Sequence, residues 1–120
     1  MLRLPARQKR LRHGEGDRTC PAHRAWVRRH HCSVPGCMQL PVECAHLRKG
    51  TDGGMALKPS DCWVISLCRD HHAEQHHVGE TAFGDQYGLD LIKLALEFAR
   101  RSPHAWKLRP HCEWLLSTQI

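Results

Sequence analysis

The chain has 120 residues, 41% of them hydrophobic and only 6% aromatic, with a formal net charge of +6, seven cysteines and eleven histidines. This length allows one small domain, and so lean a core points to metal ligation as a second source of stability. No apolar run approaches the roughly 18 residues needed to cross a bilayer, which excludes a membrane-spanning helix, and the positive balance asks for an anionic partner.

Residues 1–20 read as a basic arm, expected to be disordered. Nine of the 18 Lys and Arg residues fall between Arg3 and Arg29, and such an arm can follow phosphates without reading sequence. "PAHRAWVRRHH" follows as a short helix anchored by Trp26 and Val27. "CSVPGC" is a tight turn between two cysteines, with Pro35 and Gly36 supplying the turn chemistry. "LPVECAHL" reads as a first strand, "RKGTDGGMALKPSD" as a long loop, and "CWVISLC" as a second strand rich in sheet-forming side chains. From Arg69 or Asp70 the chain turns helical. A further helix over "LDLIKLALEFARR" is capped by Asp90 and ended by Ser102 and Pro103. Asp90, Lys93, Glu97, Arg100 and Arg101 form its polar stripe, opposite Leu91, Ile92, Ala95, Phe98 and Ala99. Residues 104–120 carry Trp106 and Trp114 but no readable pattern, and are expected to be a tail.

The cysteines and histidines sort by spacing. Cys32 and Cys37 flank the turn, and Cys68 and His71 lie three apart where a strand meets a helix. Two short ligand pairs about thirty residues apart are how small domains assemble a closed tetrahedral zinc site. Cys44 and Cys62, on the nearby strands, compete for the same role. The odd cysteine count, these Cys–His spacings and the lack of a secretory segment favour a reducing cytoplasm over a disulfide framework.

His72 and His76 are four apart and share a helix face, so both imidazoles can address one ion. His71 is rotated about 100° from His72 and cannot easily join them. "LCRDHHAEQHH" therefore serves two sites, a closed one through His71 and a more open one through His72 and His76. A third histidine, His46, ends the first strand and could face the pair.

The run "ECAHLR…GGMALKPSDCWVISLCRDHHAEQH" resembles the HNH (ββα-metal) nuclease family. More narrowly, "AHLR…GG…KPSD…W…LC..HH..QH..GE..F" is similar to phage- and prophage-type HNH endonucleases with a structural zinc site. The similarity spans about Cys32 to Pro103, with "HRAWVR" as a matching lead-in. It implies an α+β domain over 21–103: a zinc-stabilised hairpin and one helix around a divalent ion, with an additional C-terminal helix.

By this resemblance His46 is the general base, and His72 and His76 are ligands of the catalytic ion (Mg2+, Mn2+, Ni2+ or Zn2+). Cys32, Cys37, Cys68 and His71 match ligands of a structural Zn2+. The implied activity is hydrolysis of DNA phosphodiester bonds, by nicking or cutting, in a bacterial or phage-encoded cytoplasmic enzyme. Arg48, Lys49 and Lys58 would meet phosphates. Many members carry Asp or His before the base, where this chain has Ala45, so the ion is expected to have two protein ligands. Strand alternation puts Cys44 rather than Glu43 on the His46 side as a substitute. Two alternatives stand beside this reading. One is a non-catalytic zinc module that binds nucleic acid. The other is a recombination-enhancement nuclease dependent on a recombinase or other phage or host DNA-processing proteins.

Overall fold

The computed structural model describes residues 18–53 and 57–118, with side chains through Cys112. The basic arm up to residue 17 and loop residues 54–56 lie outside the described residues. Seven elements follow in order: α1 (Pro21–Arg28), β1 (Val42–His46), β2 (Val64–Cys68), α2 (Arg69–Val78), α3 (Glu80–Tyr87), α4 (Leu91–Arg101) and α5 (Ala105–Thr118). The two strands form one antiparallel sheet, giving a small α+β domain.

The strands behave as their composition dictates. All five residues of β2 are buried, because α1, α2 and α4 pack against it. A strand covered on both faces reads as a continuous apolar run rather than an alternating one. β1 is only partly covered: Val42 and Ala45 are buried, while Glu43, Cys44 and His46 are half-buried. Trp63, Ile65, Leu67, Leu47, Phe83 and Leu96 are the large side chains of the core. Truncating one such aromatic to alanine costs about 3–5 kcal/mol, a large share of what so small a domain has.

Register sets the geometry of function. Val42 pairs with Cys68 at the open end of the hairpin, and His46 pairs with Val64 at the end closed by the long loop. At about 3.4 Å per residue, the two ends are some 14 Å apart. α2 then leaves Cys68 and packs back against both strands, so its successive turns connect one end to the other.

Two helices were not expected from sequence. α3 is eight residues long, with Gly84 inside it, so only Phe83 and Tyr87 mark its apolar side. A Cβ on Gly84 would lie 2.8 Å from the Leu89 carbonyl oxygen, and only glycine lets that turn close. α5 corrects the expectation of a tail over 104–120: Leu108 and Cys112, one turn apart, are buried against the core. Pro110 within it removes a backbone donor and masks the helical pattern. The expected arm boundary also shifts, because Arg18 belongs to the folded domain. It donates to Asp52 Oδ2 at 3.2 Å and to the Lys58 carbonyl at 2.6 Å, tying the start of α1 to the long loop.

Candidate metal centre and histidine groove

At the open end of the hairpin, Cys32, Cys37, Cys68 and His71 bring their ligand atoms within 4.8 Å of one another. Cys37 Sγ lies 3.9 Å from Cys68 Sγ, and His71 Nδ1 lies 3.4 Å from Cys32 Sγ and 3.3 Å from Cys68 Sγ. Tetrahedral zinc, with bonds of about 2.3 Å to sulfur and 2.0–2.1 Å to nitrogen, requires edges of about 3.8 Å (S···S) and 3.5 Å (S···N). The donor set fits the ion in chemistry and in size, so the cluster can hold a metal such as zinc. Neither Cys44 nor Cys62 joins it: Cys44 sits under the electrostatic influence of Asp61, Arg28 and Arg24, and Cys62 faces Ser60 and Cys112.

Local structure explains this preorganisation. Gly36, at φ +79°, turns the chain so that Cys37 returns beside Cys32, and the Cys37 N–H donates to the Val34 carbonyl. Cys68 caps α2, accepting the His71 N–H at 3.4 Å, where helix N-terminal donors favour a thiolate. α3 holds the fourth ligand from behind, with Phe83 and Tyr87 packed edge-on to the His71 ring. Burial pushes the Cys32 thiol up to about 11, while the Gln39 N–H pulls Cys37 down. Loading a cation must therefore expel at least the Cys32 proton at neutral pH.

The other histidines form a separate arrangement. His72 Nδ1 donates to Glu43 Oε1 at 2.8 Å, which fixes the tautomer and leaves the Nε2 lone pair bare. That Nε2 lies 3.2 Å from His76 Nε2, close to the roughly 3.3 Å edge that two imidazoles make around one ion. Glu43 thus holds the His72 ring in one orientation. His72 approaches from the Glu43 face of the strand, whereas Cys44 lies on the other face with His46.

His46 is held from the opposite direction. Its Nε2 donates to Asp61 Oδ1 at 2.8 Å, and Asp61 is 2% exposed. The other oxygen, Oδ2, accepts the Cys20 N–H at 2.7 Å and a guanidinium N–H of Arg24. Burial alone would raise the Asp61 carboxyl, but His46, Cys20 and Arg24 hold it down at about 2. An acid kept ionised is an acceptor only, so the His46 proton sits on Nε2 and the lone pair on Nδ1. Asp61 was not singled out in sequence. The available signal was an acid three residues before a largely apolar strand, where an unpaired buried carboxylate would be prohibitive.

His46 and His76 both line an open groove of about 940 Å3, and His72 adjoins it through His76. Arg48 and Lys49 also line it. Their backbone N–H groups donate to Glu80 at 2.8 and 3.1 Å, so the first residue of α3 fixes the turn after His46. Lys49 Nζ rests on Thr81 Oγ1 at 2.9 Å, and Lys58 is exposed outside the groove lining. Gln75, buried on α2 beside His76, lines the groove as well, and its Oε1 is a buried acceptor with no hydrogen-bond partner among the described residues.

Among the described residues no helix is long and apolar enough to cross a membrane. Over 78 residues the chain is 37% identical to the uncharacterized protein YdfU of Escherichia coli strain K12, covering 64% of this chain and 21% of that protein. The chain thus spans about a fifth of the length of that relative. No solved structure matches. A family model described as a protein of unknown function, DUF968, matches residues 10–103, a stretch that contains every cysteine and histidine of the two arrangements above. The chain belongs to the DUF968 family.

Proposed function

We propose that this DUF968 protein is a metal-dependent DNA endonuclease of the HNH, ββα-metal type, with His46 as general base. The observation that carries the reading is the Asp61–His46 pair at the mouth of a groove shared with His76. The order β1, β2, α2 and the separation of His71 from His72 support it.

His46 Nδ1 would take the proton of the attacking water, while Asp61 stabilises the imidazolium that results. Arg48 and Lys49 supply positive charge on the turn that Glu80 fixes, where a phosphate would enter. His72 and His76 would hold one divalent cation, of the Mg2+, Mn2+, Ni2+ or Zn2+ kind, whose charge opposes that developing on phosphate and leaving oxygen. Zinc in the Cys32–Cys37–Cys68–His71 cluster would be structural. The partner in this account is DNA in a bacterial or phage-infected cytoplasm.

Nicking of supercoiled plasmid across a panel of these cations tests the reading. Wild type should nick with at least one of them. His72→Ala and His76→Ala should abolish nicking and keep both fold and tightly held zinc, whereas His71→Ala should lose zinc and melt at lower temperature. Loss of zinc from His72→Ala, with His71→Ala folded and active, would reverse the assignment of the two sites.

A further inference from the structure

α5 presents a surface that neither the zinc cluster nor the groove uses. Trp106 is 71% exposed, although tryptophan is among the side chains water least favours. Leu108 and Cys112 turn α5 toward the core, and Trp106, two residues from Leu108, falls on the opposite side. Arg109, three residues beyond Trp106, shares its face, and the Lys107 ammonium lies 5.7 Å from the indole centroid. Arg100 and Arg101, exposed in the last turn of α4, precede it across a short turn. Over residues 97–113 the chain holds Arg100, Arg101, Lys107 and Arg109 against two acids, Glu97 and Glu113. An exposed aromatic plane set in net positive charge matches a polyanion that also offers flat aromatic faces.

The core-facing side of α5 approaches the loop beside the groove. His111, on the same helix, lies 4.0 Å from Asp52, and the neighbouring Gly53 lines the groove. Trp106, five residues before His111, lies about 7–8 Å along the axis and about 140° round the helix from it, on the side turned to solvent.

We infer that the Trp106 face of α5 binds single-stranded DNA, with an unpaired base stacked on the indole and Arg109, Lys107 and the α4 terminus on the flanking phosphates. The inference rests on the DNA reading proposed above and makes it more specific: the preferred substrate has unpaired bases on one side of the cut.

The test is binding of a fluorescent oligo-dT to the full chain carrying His46→Ala, so that cleavage does not intrude, with a duplex of equal length as comparison. Trp106→Ala should weaken oligo-dT binding about tenfold or more, the loss of one base–aromatic stack, and Trp106→Phe should recover most of it. Duplex binding should change less than threefold. Arg109→Gln should make the salt dependence of oligo-dT binding shallower by a little under one charge. Unchanged oligo-dT affinity in Trp106→Ala would overturn the inference, as would an equal loss on single strand and duplex. A dimer in sedimentation velocity that Trp106→Ala converts to monomer would also overturn it, by making a second copy of the chain the occupant. Failure of wild type to nick plasmid, with the Trp106 dependence intact, would sink the nuclease reading and leave this surface standing.

Discussion

Replacing Asp61 by Asn changes charge and hydrogen-bond direction while leaving shape almost untouched. Three donors point at the carboxylate: His46 Nε2–H at Oδ1, and the Cys20 N–H and Arg24 guanidinium at Oδ2. An amide has one acceptor oxygen, so its NH2 must face either His46 or the Cys20–Arg24 pair. Magnitude follows from titration. The carboxyl is held at about 2 against an ordinary 3.8, and each unit is worth about 1.4 kcal/mol, so the native fold prefers the charged form by about 2 kcal/mol. Because this carboxyl is depressed in the folded state, its contribution is complete above about pH 4 and is lost as pH falls toward 2. Asp61→Asn should therefore cost about 2 kcal/mol at pH 7, or about 10 °C in melting temperature, read by urea and thermal unfolding of zinc-loaded protein. If the NH2 turns to His46, the ring must accept at Nε2 and carry its proton on Nδ1, which removes the base. Nicking should then fall about a hundredfold or more. A variant within about 0.5 kcal/mol of wild type, nicking at an unchanged rate, would refute the account of this carboxylate.

Purified protein should retain about one zinc, and Cys37→Ser, Cys68→Ser or exhaustive chelation should unfold it, since structural zinc contributes on the order of 10 kcal/mol; a folded zinc-free protein would contradict the cluster's role. His23 is fully buried, and burial lowers its pKa from 6.5 to about 4. The unfolded chain therefore takes up this proton first, and about 3 kcal/mol of stability present above pH 6.5 should drain away toward pH 4. His23→Gln should flatten that part of the pH–stability curve relative to wild type. Removing residues 1–17 takes away Arg3, Arg7, Lys9, Arg10 and Arg12 while sparing Arg18, so DNA affinity and its salt slope should both decrease at constant zinc content. An unaltered slope would mean that the arm makes no phosphate contacts.

Local chemistry was readable in this chain, and long-range pairing was not. Asp90 announces α4 because capping depends only on the next three residues, and its side chain does accept the Lys93 N–H. The zinc-type cluster was legible for a related reason: each ligand pair lies within a single turn, so spacing alone brings its two members together. The pairing of His46 with Asp61 spans a 15-residue separation through an irregular loop, which carries no period to count. The bond from His72 to Glu43 was not legible either. Which face of β1 meets His72 depends on the side from which α2 packs, and that is a tertiary fact. α3 and α5 were hidden by Gly84 and Pro110, each of which breaks the helical signal without breaking the helix.

His46 bears the central claim, and one comparison addresses it most directly: the rate at which wild type and His46→Ala nick supercoiled plasmid, at matched zinc content and with the most effective divalent cation. Removing the imidazole leaves the Cys32–Cys37–Cys68–His71 cluster and the His72–His76 pair in place, so fold, zinc and DNA binding should stay near wild type. The account predicts that nicking falls by about two to four orders of magnitude, as loss of a general base requires. Nicking by His46→Ala at the wild-type rate, or wild-type protein that binds DNA and never cuts it, would contradict the nuclease assignment and leave a zinc-bound nucleic-acid-binding module in its place.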